Sequence, residues 1–82
     1  MIPLCFDRVR GIAADIFQIP SEQITPMSSP RDISTWNSVR FLSLILAVEE
    51  EFGLMFEPQD LDRVTTLGEF AALVETKIGE TA

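Results

Sequence analysis

The sequence predicts an all-α fold of three main helices and one short one, with a long loop between the first two. Three observations point to it. Apolar residues recur at spacings of three and four in three separate segments. Convincing strand alternation is absent. Pro20, Pro26, Pro30, Gly53 and Pro58 fall between the periodic segments, where helices are expected to break. A chain of 82 residues with 46% hydrophobic residues is too apolar for an acidic disordered tail. A chain of this size should bury roughly 60–65% of its extended surface. Residues 1–82 therefore read as one domain with one small core.

The first helix is predicted over about residues 3–18. Pro3 suits a first helical position, where the missing N–H costs nothing. Phe6, Val9, Ile12 or Ala13, and Ile16 form its inner face, and Pro20 ends it. Residues 19–37 form the long connection, expected to be held to the core by Ile24, Met27 and Ile33. Ser21-Glu22-Gln23 can make one short helical turn.

The second helix is predicted over 38–52, stopped by Gly53. A short third helix, 58–63, starts at Pro58 and turns Leu61 inward, as Val64 does just beyond it. The fourth, 66–78, is capped by Thr65 or Thr66. It carries Leu67, Phe70, Leu73 or Val74, and Ile78, and is expected to stop at Gly79.

Composition excludes several kinds of chemistry. The chain has no His, which rules out a histidine triad, a histidine base and a histidine metal site. One Cys rules out an internal disulfide framework, and a structural zinc site lacks ligands. Thirteen Asp plus Glu against six Lys plus Arg leave a net charge of −7, which phosphates would repel, so nucleic acid is not an expected partner. The favoured partner carries basic patches. No apolar run is long enough to span a membrane, and the first residues lack the pattern of a signal peptide. A cytoplasmic, reducing location and a monomer are expected. The acidic excess lies wholly beyond residue 20.

The second helix divides into two apolar faces when residues are placed at roughly 100° intervals. Phe41, Ile45, Val48 and Phe52 form the core stripe, with Leu44 beside it. Val39, Leu42 and Leu46 form a second cluster, flanked by Glu49 and Glu50. A small bundle buries about one face per helix. Either the first helix wraps round to bury the second cluster, or the cluster is a partner surface with an apolar centre and acidic edges.

Trp36-Asn37-Ser38-Val39 stands where the long loop meets this helix, which closes with Glu49-Glu50-Glu51-Phe52-Gly53. Pro58-Gln59-Asp60-Leu61 and Val64-Thr65-Thr66-Leu67 follow. From about residue 4 to residue 79 the chain resembles the acyl carrier proteins. The likeness lies in the Asp-Ser-Leu-type motif, the acidic helix end, the short third helix and the Thr-Thr-capped fourth. Asn37 stands where that motif has Asp, Val39 where it has Leu, and Thr35-Trp36 where a Gly is common. These departures point to specialised rather than housekeeping partners.

The resemblance implies a four-helix acyl-carrier-type bundle that is not an enzyme. It implies that Ser38 is esterified with 4′-phosphopantetheine, delivered from coenzyme A by a phosphopantetheinyl transferase. The arm's thiol would hold acyl groups as thioesters for a lipid or polyketide-type pathway. An acyl-loading ligase or acyltransferase and condensing enzymes with basic docking patches would be the other partners. Val39, Leu42, Leu46, Glu49 and Glu50 are the expected docking residues, and Asn37 and Trp36 flank the attachment site. An aminoacyl or peptidyl carrier, and an unmodified helical interaction module, are the alternative readings.

Individual residues also have plainer readings. Asn37 can simply cap the helix. Trp36 is either a packing anchor, or it lines the arm's path or touches a partner. Cys5 reads as a small buried hydrophobe. Glu57, Asp60 and Asp62 fit no calcium loop, and no metal site is expected. Three acids at a helix C-terminus oppose its dipole, which favours a partner-facing role for Glu49 and Glu50. Met55, Phe56 and Leu61 are expected to line the inner end of the bundle.

Overall fold

A computed structural model describes residues 5–81. Its order is α1 (Phe6–Phe17), a single 3₁₀ turn (Ser21–Gln23), α2 (Ser38–Phe52), α3 (Pro58–Leu61) and α4 (Leu67–Thr81). The start proposed for the first helix at Pro3 lies outside the described residues. Among the described residues there is no strand.

Helix α1 packs against both α2 and α4. Phe6, Val9, Ala13 and Phe17 are buried on one side of α1, at spacings of three and four. They meet Leu44, Ile45 and Val48 of α2 and Leu67, Phe70, Ala71 and Val74 of α4 in one core. Ile12, Ile16, Phe41, Phe52 and Ile78 are half-buried around it. Ile24, Ile33 and Trp36 carry the long loop into the same core. Met27 does not: it is 75% exposed. Met55 is 79% exposed, so the turn after α2 turns it outward and packs Leu54, Phe56 and Leu61 instead. Met27 lies in a turn of the long loop and Met55 in the irregular stretch after α2, where neighbouring side chains rather than these two reach the core.

The ends of the helices follow local chemistry. Helix α1 stops at Gln18, which takes the left-handed conformation at φ 59° and donates its N–H to Ala14 O. The stop therefore precedes Pro20. Helix α2 stops at Gly53, φ 66°, whose N–H reaches Glu49 O at 2.8 Å. Helix α3 is a single turn, shorter than the 58–63 segment read from the sequence. Its Glu57 and Asp60 satisfy each other's backbone N–H groups in a capping box. Helix α4 runs through Gly79 to Thr81. A glycine near a helix end is tolerated when the turn around it is already formed, so Gly79 is not a stop.

The start of α4 is tied to the long loop. Leu67 N donates to Ser28 O at 3.0 Å and Gly68 N donates to Pro26 O at 2.8 Å. Two of the orphan N–H groups of the helix are satisfied by the loop backbone. The approach is so close that a Cβ on Gly68 would lie 2.7 Å from Pro26 O and 2.9 Å from Pro26 Cβ. Ser28 is buried beneath this contact and accepts a bond from Thr25 N. Thr66 and Glu69 close the cap: Thr66 Oγ1 accepts from Glu69 N at 3.1 Å, and Glu69 Oε1 accepts from Thr65 N at 2.8 Å. Lys77 of α4 pairs with Asp60 at 2.7 Å and fastens α3 to the bundle.

Gly68→Ala is expected to destabilise the fold by about 1–3 kcal/mol, because an inserted methyl must displace backbone rather than a flexible side chain. Gly11→Ala, where a Cβ would meet nothing within 4 Å, is expected to stabilise by up to about 1 kcal/mol through helix propensity. Urea midpoints of the two variants check both signs.

The Glu69 carboxylate is held below the usual glutamate range by its Thr65 side-chain bond first and the Thr65 backbone bond next. A depressed native value means that the unfolded chain binds more protons, so this contribution is present above about pH 4.3 and lost as pH falls through the native value. The difference in urea midpoint between wild type and Glu69→Gln should be larger at pH 7 than at pH 3.

Candidate functional site

Ser38 is the first residue of α2, and its side chain is exposed. Asn37 precedes it in extended conformation and accepts from Arg40 N through Oδ1 at 2.9 Å. Asn37 is thus the N-cap. No acidic residue stands in the first turn of α2. An anionic group on Ser38 would meet the positive end of the helix without a competing carboxylate. With no His in the chain, Ser38 has no histidine base to activate it.

The position of Ser38 is set by three anchors to the end of α1. Trp36 is buried and stacks on Phe17 with ring centroids 5.2 Å apart and planes 21° apart. Thr35 Oγ1 donates to Phe17 O at 2.7 Å. Arg40 Nη1 donates to Ile16 O at 2.6 Å. The last carbonyls of α1, which have no partner within their own helix, are thereby satisfied by residues on either side of Ser38. Trp36 thus packs into the core, and it also stands beside Ser38. A hollow of about 230 Å³ lies beside Ser38, lined also by Pro30, Trp36, Asn37 and Phe41. Thr35 and Arg40 were not legible as site residues, because their partners lie in a distant segment. The hydroxyl at Thr35 and the guanidinium at Arg40 carry no local pattern that points to α1.

The second apolar face of α2 is not covered by α1. Val39 is 74% exposed, Leu42 55% and Leu46 56%. With Ser43 and Glu50, also exposed, they form one stripe running down the helix from Ser38. Ser43 satisfies its hydroxyl on Val39 O at 3.2 Å.

The acidic run at the end of α2 divides by task. Glu49 is half-buried and its Oε2 accepts from Phe56 N at 2.8 Å, which holds the turn leading to α3. Glu51 pairs with Arg8 of α1, whose guanidinium lies 4.8 Å above the Phe52 ring. Only Glu50 stands exposed on the apolar stripe without such a contact. Glu49 and Glu51 therefore have fold-stabilising contacts that the dipole argument from sequence did not foresee.

Cys5 is buried and donates its thiol to Ala71 O at 3.1 Å. Burial first, and Glu75 next, push its pKa up, so the thiol stays protonated. Among the described residues no group of His, Cys, Asp or Glu could hold a metal ion, and no helix is long and apolar enough to cross a membrane.

Comparison with known proteins bears on this arrangement. A family model described as a phosphopantetheine attachment site matches residues 7–74. An acyl carrier protein of Thermotoga maritima is 26% identical over 74 residues, covering 90% of this chain and 91% of that one. An acyl carrier protein of Saccharopolyspora erythraea is 32% identical over 63 residues, covering 77% of this chain and 66% of that one. The solution structure of a holo acyl carrier protein from Geobacter metallireducens superimposes with a TM-score of 0.84 at 26% identity, over 93% of this chain and 87% of that one. The chain belongs to the acyl carrier protein family, whose members carry a covalently attached 4′-phosphopantetheine and act as carriers, not enzymes.

Proposed function

We propose that Ser38 is the point of attachment of the arm and that this protein carries acyl thioesters within a specialised lipid or polyketide-type pathway. One observation carries the assignment: Ser38 presents an exposed hydroxyl as the first residue of a fully formed helix, and its first turn holds no acid. The residues fit the group. Asn37 orders the first turn, and the N-terminal N–H groups favour a phosphodiester there. When bound, the arm supplies the thiol on which acyl groups are held. Trp36, Thr35 and Arg40 hold the attachment point still relative to α1. A transferase, an acyl-loading enzyme and condensing enzymes act on the carrier in turn, in the cytoplasm, on a monomer.

The stripe of Val39, Leu42, Leu46 and Glu50 is the proposed docking surface. It is apolar at its centre, begins beside Ser38 and ends in an acidic group, which suits a partner with an apolar patch rimmed by basic residues. Glu49 joins it through its charge while keeping its bond to Phe56 N.

Coexpression with a broad-specificity transferase is expected to raise the intact mass by one phosphopantetheine, and Ser38→Ala is expected to abolish the gain. An unchanged mass with every transferase tried would overturn the assignment. Glu50→Lys should slow modification about three- to tenfold at low salt, with a weaker salt dependence and an unchanged urea midpoint, since rim charges act mainly on encounter. Glu49→Lys should also lower stability, by about 1–2 kcal/mol, through loss of the bond to Phe56 N. Rates and salt dependence that hold in Glu50→Lys would remove this face as the docking surface.

A further inference from the structure

Aromatic rings stand in series from the residues beside Ser38 into the core. Trp36 stacks on Phe17 at 5.2 Å between centroids, meets Phe41 at 5.6 Å, and Phe41 meets Phe70 edge-on at 5.8 Å. Phe70 in turn lies 5.4 Å from Phe56. The series runs from the end of α1, through the loop and α2, to α4 and the turn before α3. Phe17 and Phe70 are wholly buried. The hollow beside Ser38 is walled by Trp36 and Phe41, two members of the series, so its inner side is the ladder itself.

Magnitudes decide what can pass. An alkyl chain threaded between two rings needs them about 7–8 Å apart, twice the carbon–carbon contact distance. Every neighbouring pair in the ladder is closer than that. Moving one ring disturbs the next, because interiors are close-packed.

We propose that this carrier holds its acyl group outside the helical bundle, on the surface beside Ser38, and that its cargo is of the class that tolerates water, short-chain or polar. The inference rests on Ser38 as the attachment point. The ladder acts as a bar to long apolar chains, and Phe41 is the ring of α2 that walls the hollow beside Ser38.

The test uses the full chain loaded by a broad-specificity transferase with acetyl, butyryl, octanoyl or dodecanoyl pantetheine from the corresponding coenzyme A thioesters. Intact mass of wild type and Ser38→Ala comes first. No gain, or a gain that survives Ser38→Ala, overturns the attachment reading and this inference with it. On the loaded protein, hydroxylamine then cleaves the thioester: its nitrogen bonds to the acyl carbon, the C–S bond breaks, and sulfur leaves as thiolate while a proton passes from nitrogen to solvent.

Cleavage rates are expected to agree within about twofold across the series, whereas an acyl chain drawn into the core would be protected by about fourfold per buried methylene. The methyl resonances of Val48, Leu67 and Val74 are expected not to move on dodecanoylation. A rate that falls steeply with chain length, or movement of those methyls, on a protein whose mass confirms loading at Ser38, overturns the inference alone. Phe41→Ala removes that ring and is expected to acquire chain-length-dependent protection. Should that variant not fold, the wild-type rates and methyl shifts decide.

Discussion

The stacking of Trp36 on Phe17 is the contact on which the rest of the molecule depends. It joins the end of the first helix to the last turn of a loop of almost twenty residues, just before the helix that begins with Ser38. A flexible loop of that length would leave Ser38 free to wander. Burial of the indole removes that freedom, and the bonds of Thr35 and Arg40 to the last carbonyls of α1 fix direction as well as position. Polar groups that helix geometry leaves unpaired at the end of α1 are thereby used to locate the start of α2. The other end of the loop is treated alike, with Pro26 and Ser28 carbonyls filling the orphan N–H groups of α4.

Charge is placed with a similar division. The chain is strongly acidic, and acids near a helix C-terminus carry an electrostatic penalty. Two of the three are given partners, Glu49 on Phe56 N and Glu51 on Arg8. Glu50 is left facing water beside an apolar stripe that no other helix covers. The acidic balance thus does two things, bracing the turn after α2 and marking the exposed face of the same helix. Asp60 and Glu69 are committed to the fold in the same way, to Lys77 and to the Thr65 cap.

The aromatic series links the site to the interior. It gives the small core much of its bulk, and two of its rings, Trp36 and Phe41, wall the hollow beside Ser38.

Much was legible in the amino-acid order because it depends on local chemistry. The span of α2 from its Asn37 cap to Gly53 and the inner faces of the helices follow from periodicity and capping, and the burial of Cys5 from the apolar character of a free thiol. The chain order also showed that α2 has two apolar faces, but not which of them would be covered. Only the packed structure decided that α1 leaves Val39, Leu42 and Leu46 open, that Met27 and Met55 face water, and that α4 runs on through Gly79. Tertiary contacts alone determined which acids pair and which stand free, since Glu51 finds Arg8 across 43 positions. The reason is physical: caps and periodic faces are settled within a few residues, whereas coverage, ion pairs and ring contacts depend on which distant segments the core brings together.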